Sequence, residues 1–391
     1  MTPPRHAPLT VGLALLALAA VAPAARAQIA VSANDNKVVL VNGVVTVVPN
    51  PPPDTVTILD LKASPPRVVA EVPAPVSVAG PPLSVALTPD ESLALVTASN
   101  KVDPNDRTKQ TPNNQVSVID LKASPPKVLA TLEAGRGAAG VSINRQGTLA
   151  LVSNLVDGTV SIFTIQGKTV TPAGTLEVGG EKAGGGMVAI TPDGKTALVS
   201  RSNDNKVSVL SIDGTKVEYT KRDMVPGLRP IVMDVASTGA FAVVGHLAGG
   251  ATGDTDAVTL MDLTAKPPRV VDTVGARGAT AEGLKISPDG SVVAVVVHNG
   301  SNRPKESPFF NPGGKLLIVR VTGTTLTRVA EAPIGHWSQG VAWAPDGKTL
   351  LVGNMVEKDY WVFQWDGAAL KDTGQRVKVS GGPAAIRATE K

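Results

Sequence analysis

The residues best equipped for chemistry in this chain lie at or near the ends of short apolar strands. Histidine is scarce: after His6 there are only His246, His298 and His336. Imidazole titrates near neutral pH and is the commonest side-chain metal ligand, so each suits a general base, an electrophile or a ligand. Glu282 falls in the same part of the pattern as an acid/base candidate. Arg136, Arg201, Arg229 and Arg277 accompany them, and guanidinium groups converging from separate segments would clamp a carboxylate or phosphate. Asn154 and Asn354 end comparable strands and complete the candidate ligand-binding set. A structural role competes with each assignment. A strand-end His or Asn caps the strand by bonding a loop, and the arginines pair with Glu181 or Glu282.

Other chemistries find little support. The histidines match no H-x-H or H-E-x-x-H spacing, and no metal or other cofactor is expected. The chain has no cysteine, which removes disulfides, thiol nucleophiles, thiolate metal sites and covalent haem attachment. Gly179–Gly186 is glycine-rich but lacks the strand-to-helix setting of a phosphate loop. Asp103–Asp106 and Asp254–Asp256 offer oxygens without a known calcium-loop spacing, and no G-x-S-x-G elbow occurs. The net charge of +4 falls to +2 if Arg5 and Arg26 leave with a leader. With aromatics at only 3% and no Lys/Arg run, nucleic-acid binding is not indicated.

What must position the candidates is a repeat. Turn glycines Gly147, Gly194, Gly239, Gly290 and Gly347 recur at intervals of 45 to 57 residues, each followed by an apolar strand with a polar end. Thr88-Pro89-Asp90 opens an earlier copy. A second motif, Asp60 to Val68, returns almost unchanged as Asp120–Val128 and Asp262–Val270. Each copy follows an alternating β-branched strand, and its Pro-Pro pair cannot continue a ladder. Four strands, a to d, therefore make one unit, with Pro-Asp-Gly joining a to b and the Pro-Pro segment joining c to d. Six units are complete. Ile29–Ser32 reads as a b strand without its a strand, and Gly382–Ala388 as an a strand without a successor. Joining them gives an all-β, seven-bladed β-propeller of four-stranded blades, closed by pairing the C-terminal strand with the N-terminal blade.

The segment Thr191-Pro192-Asp193-Gly194-Lys195, its apolar strand and Asn203 resemble the YVTN-type propeller repeat. That group is similar to the lactonase-like seven-bladed propellers, and the resemblance runs from Ile29 to the C-terminus. It implies the fold, and as an activity the hydrolysis of a small anionic or sugar-derived lactone. In such a ring the d-to-a and b-to-c loops share one face. That face would gather the histidines, Glu282, the four arginines and the strand-end asparagines, together with Asn100, Glu181 and Lys182. Long b-to-c connections at 36–54, 101–114 and 299–314 would border it, the first as a hairpin turning at Asn42-Gly43.

The N-terminus is ordered as a secretory signal: Arg5, an apolar run from Leu9 to Val21, then Ala25-Arg26-Ala27. Cleavage after Ala27 would leave residues 28–391 as one propeller, exported to the periplasm or beyond, without a membrane span and monomeric. With no constellation that forces catalysis, a binding or scaffold propeller stands ahead of the hydrolase. Its partner would be a small anionic molecule or an envelope protein.

Overall fold

The computed structural model describes residue 1 and residues 28–79, 82–250 and 252–390. The segment read as a signal, residues 1–27, lies outside the described residues apart from Met1. The described chain forms seven four-stranded antiparallel sheets and one separate hairpin. Its one helical turn is the 3-10 segment Ala248–Gly250. Among the described residues no helix is long and apolar enough to cross a membrane.

Each blade runs from the channel outward in chain order, except the first. There Gly382–Ala388 supplies the innermost strand and pairs antiparallel with Ile29–Asp35. The chain thus closes on itself, and the first blade has four strands like the other six. Two contacts reinforce the seam. The Tyr360 hydroxyl of blade seven lies 2.7 Å from Ser32 Oγ of blade one. Glu91 of blade two accepts bonds from the Ile29 amide and the Thr389 hydroxyl. Glu91 stands where five other blades carry the turn glycine, and it keeps the same left-handed backbone at φ 57°. A side chain there costs strain but stitches the two chain ends to the next blade.

Burial follows the strand pattern. Inner and middle strands are buried on both faces between neighbouring blades, as in Leu149–Asn154 and Val292–Val297. Outer strands such as Lys127–Glu133 alternate with solvent. Successive innermost strands pack side by side around the channel. A Cβ on Gly283 would sit 2.1 Å from the Gln339 carbonyl oxygen, so blades six and seven approach closely only with glycine there.

The insertions differ from one another. The hairpin Val38–Val41/Val44–Val47 turns at Asn42 and Gly43, both at positive φ, as the sequence predicts. The connection at 101–114 is instead mostly a ladder: Leu93–Val102 and Gln110–Asp120 extend past the sheet together. The hairpin reaches the loop of blade six, although blade seven lies between them. Asn42 bonds Glu306 Oε2 at 3.0 Å and the Lys305 amide at 3.2 Å. Below it a buried cation, Lys37, joins Asp35 at 3.0 Å and Asp54 at 2.9 Å and donates to the Val76 carbonyl.

Candidate functional site

The strand-end positions occupy one register at the long-loop end of the ring. Asn154, Arg201, His246 and Asn354 each close the b-strand ladder of their blade against the first residue of the a strand. Most of these side chains are latches. Asn154 accepts from the Gly135 amide and donates to Thr159 and Ser161. Asn354 accepts from Gly335 and Ser338. His246 has both ring nitrogens engaged at 3.0 Å, with the Leu228 carbonyl and the Thr259 hydroxyl. Burial lowers its pKa, though the Leu228 contact and Asp256 oppose the shift. Arg201 is held by Asp204, by Asp223 at 3.5 Å and by the Tyr219 hydroxyl at 3.1 Å. Each ties its b strand to the loop or strands beside it, a need that arises wherever loop backbone is buried.

The loop residues diverge as well. Arg136 is exposed and spans Asp157 and Glu181. Arg277, in a near-identical sequence setting, is also exposed, with Glu331 at 4.0 Å. His336 is half-buried and its Nδ1 lies 2.6 Å from Glu357.

Two residues break the latch pattern. His298 follows the strand Val292–Val297 and turns toward the next blade, its Nε2 3.3 Å from Gln339 Nε2. Its Nδ1 has no partner among the described residues, and neither has Gln339 Oε1. Burial drives the His298 pKa down to about 4 against the opposing Ser338 backbone contact, so the ring is neutral at pH 7. Glu282 sits in the irregular start of the innermost strand Ala281–Ile286, in the same blade. It is 9% exposed, and its carboxylate has no hydrogen-bond partner among the described residues. Burial pushes its pKa up to about 7; Arg229 opposes and Asp256 adds to the rise. Arg229 itself is exposed and held at φ 48°, its amide bonded to Asn205 Oδ1 at 2.8 Å.

Glu282, His298 and Arg229 therefore form the part of the expected set with chemistry to spare. Gln339 joins them without having been singled out by sequence, and Asp256, weighed there only as a calcium-type oxygen, joins through its charge. Their sequence signal for this site was position alone: Gln339 is the second residue of an a strand, and Asp256 precedes a c strand. Among the described residues no group of three or more His, Cys, Asp or Glu side chains could hold a metal ion.

No family model matches the chain, and no curated protein matches it by sequence. Solved structures do. A Bacteroides fragilis protein assigned as a 6-phosphogluconolactonase superposes with a TM-score of 0.69 at 18% identity, covering 94% of this chain and 99% of that one. The periplasmic gluconolactonase of Pseudomonas aeruginosa gives 0.65 at 17%, covering 93% and 98%. The fold these structures share with this chain is the seven-bladed β-propeller. The same propeller is not confined to such enzymes. Kuenenia stuttgartiensis hydrazine synthase gives a TM-score of 0.57 at 20% identity, covering 74% of this chain and 79% of that one. At these identities the likeness is one of architecture, and activity must be argued from the site.

Proposed function

We propose that the long-loop mouth binds a small sugar-derived lactone and hydrolyses it, with Glu282 as general base. The observation that carries this reading is a nearly buried carboxylate with no hydrogen-bond partner and a pKa of about 7. A base poised near the working pH combines a usable ionised fraction with proton-transfer drive. Glu282 takes a proton from water as the water oxygen bonds the lactone carbonyl carbon. Arg229 offsets the oxyanion charge, the ring C–O bond breaks, and the proton passes to the leaving alkoxide.

The test is turnover of gluconolactone above its spontaneous rate. The expected kcat/KM rises with pH through about 7, and Glu282→Gln loses about 100-fold or more. An unchanged rate in Glu282→Gln removes the proposal. A second reading, a binding propeller without turnover, is favoured by how many candidate side chains are already engaged as latches. Saturable binding with no turnover would select it. The reading also includes export, since residues 1–27 carry the order of a signal. A mature protein beginning at Gln28 in the envelope fraction is the expected mass-spectrometric result.

A further inference from the structure

At the opposite end of the channel lies a cavity of about 270 Å³, lined by the a-to-b ends of all seven blades. Apolar residues make much of its wall, among them Leu87, Ile190, Ile286 and Trp343. Its floor is charged. Asp234, buried in blade five, receives Lys285 Nζ at 2.8 and 2.9 Å and the Ile286 amide at 3.0 Å, and lies 3.6 Å from Arg387. Lys285 and Arg387 then share a second anion, the carboxylate of Glu390 just past the last strand, at 2.5 and 2.8 Å. Burial within the mouth opposes ionisation of Glu390, yet Arg387 and Lys285 outweigh it and hold the carboxyl at about 2; Arg145 adds to their pull.

The second observation concerns Arg387 itself. It is 9% exposed, and one of its terminal nitrogens, Nη1, has no hydrogen-bond partner among the described residues. A buried guanidinium with an open donor, in the wall of a cavity, is an acceptor site left to fill. Glu390 is half-exposed and belongs to no strand, so it can leave its place without disturbing the ring.

We propose that this short-turn mouth is a binding site for a small carboxylate with an apolar body, and that Glu390 occupies the anion position until such a ligand displaces it. The carboxylate sits between Lys285 and Arg387 and takes the open Arg387 donor, and its hydrocarbon body lies against Trp343 and Ile286. The apolar wall favours a carboxylate over inorganic phosphate, whose remaining oxygens would be desolvated without partners.

The experiment is calorimetric titration of the mature protein with hexanoate, with inorganic phosphate and hexanol as controls. Hexanoate is expected to bind saturably, at least tenfold tighter in Glu390→Gln, where the competing anion is gone. Adding Arg387→Gln should return affinity to the native level or below. Should that double variant fail to fold, Arg145→Gln in the Glu390→Gln background takes its place and should weaken binding several-fold. No gain in Glu390→Gln, or no loss in either double variant, overturns the assignment. Phosphate or hexanol binding as tightly as hexanoate does so too. Glu282→Gln should leave hexanoate binding unchanged, which separates this site from the lactone site.

Discussion

The two mouths of the channel carry similar inventories of charge but use them in opposite ways. At the long-loop mouth, polar side chains tie loops to strand ends, and one carboxylate is left without a hydrogen bond. At the short-turn mouth the turns hold themselves, as in Asp193 with Thr191 and Lys195, so the channel-facing charges are free to face one another around an open cavity. Long insertions supply variety and also demand polar latches. Short repeated turns supply none and demand none. Reactivity and vacancy therefore sit at different ends of one channel.

The largest test of this contrast removes one buried charge from the ion cluster at each end, a cation at one and an anion at the other. Lys37→Met strands Asp35 and Asp54 together in a buried site and should cost about 3–5 kcal/mol in denaturant unfolding. Asp234→Asn, at the other mouth, should cost about 2 kcal/mol, because Glu390 remains to neutralise Lys285 and Arg387. Equal losses would erase the distinction between a latched and an open mouth.

Stability against pH sharpens it next. Glu282 is raised from 4.5 to about 7, so between those values the unfolded chain ionises first and stability falls as pH rises. His298 is lowered from 6.5 to about 4, so over that range the unfolded chain holds more protons and stability rises with pH. Each trend is worth about 3 kcal/mol, and from pH 4.5 to 6.5 they oppose one another. Glu282→Gln should unmask a rise over pH 4 to 6.5, and His298→Asn a fall over pH 4.5 to 7. Melts that keep the native pH profile in both variants would mean that neither group is buried as described.

Smaller effects follow at the seam and the rim. Glu91→Gly relieves a positive φ but loses the bonds to Ile29 and Thr389, for a net cost of about 1 kcal/mol. Arg136→Ala, at an exposed pair, should leave the unfolding midpoint where it is. A drop there would show that the rim is held by its surface charges.

The ring was legible because its signals are local and repeated. Turn glycines at near-regular spacing, β-branched alternation and matching incomplete ends need no partner to be read. The end of the ring on which strand-end residues gather was legible for the same reason, since strand order fixes direction. Which of them are spent was not. Arg136 and Arg201 stood in the same candidate set, yet one is exposed and the other is held within its blade by Asp204 and Asp223. His246 and His298 both stand at b-strand ends, but His298 lies one residue past the register of His246; one bonds its own blade and the other turns to Gln339 in the next.

The sequence by itself determined the propeller, the closing of its seam and the face on which its polar strand ends meet, because periodicity and chain order are written along one dimension. Only the tertiary structure decided that Glu282 is buried without a hydrogen bond, and that Asp234, Lys285, Arg387 and Glu390 meet from three blades at the other end. Desolvation and charge pairing depend on distances between residues far apart in sequence, such as Asp234 and Arg387, 153 positions from one another, and those exist only once the ring has closed.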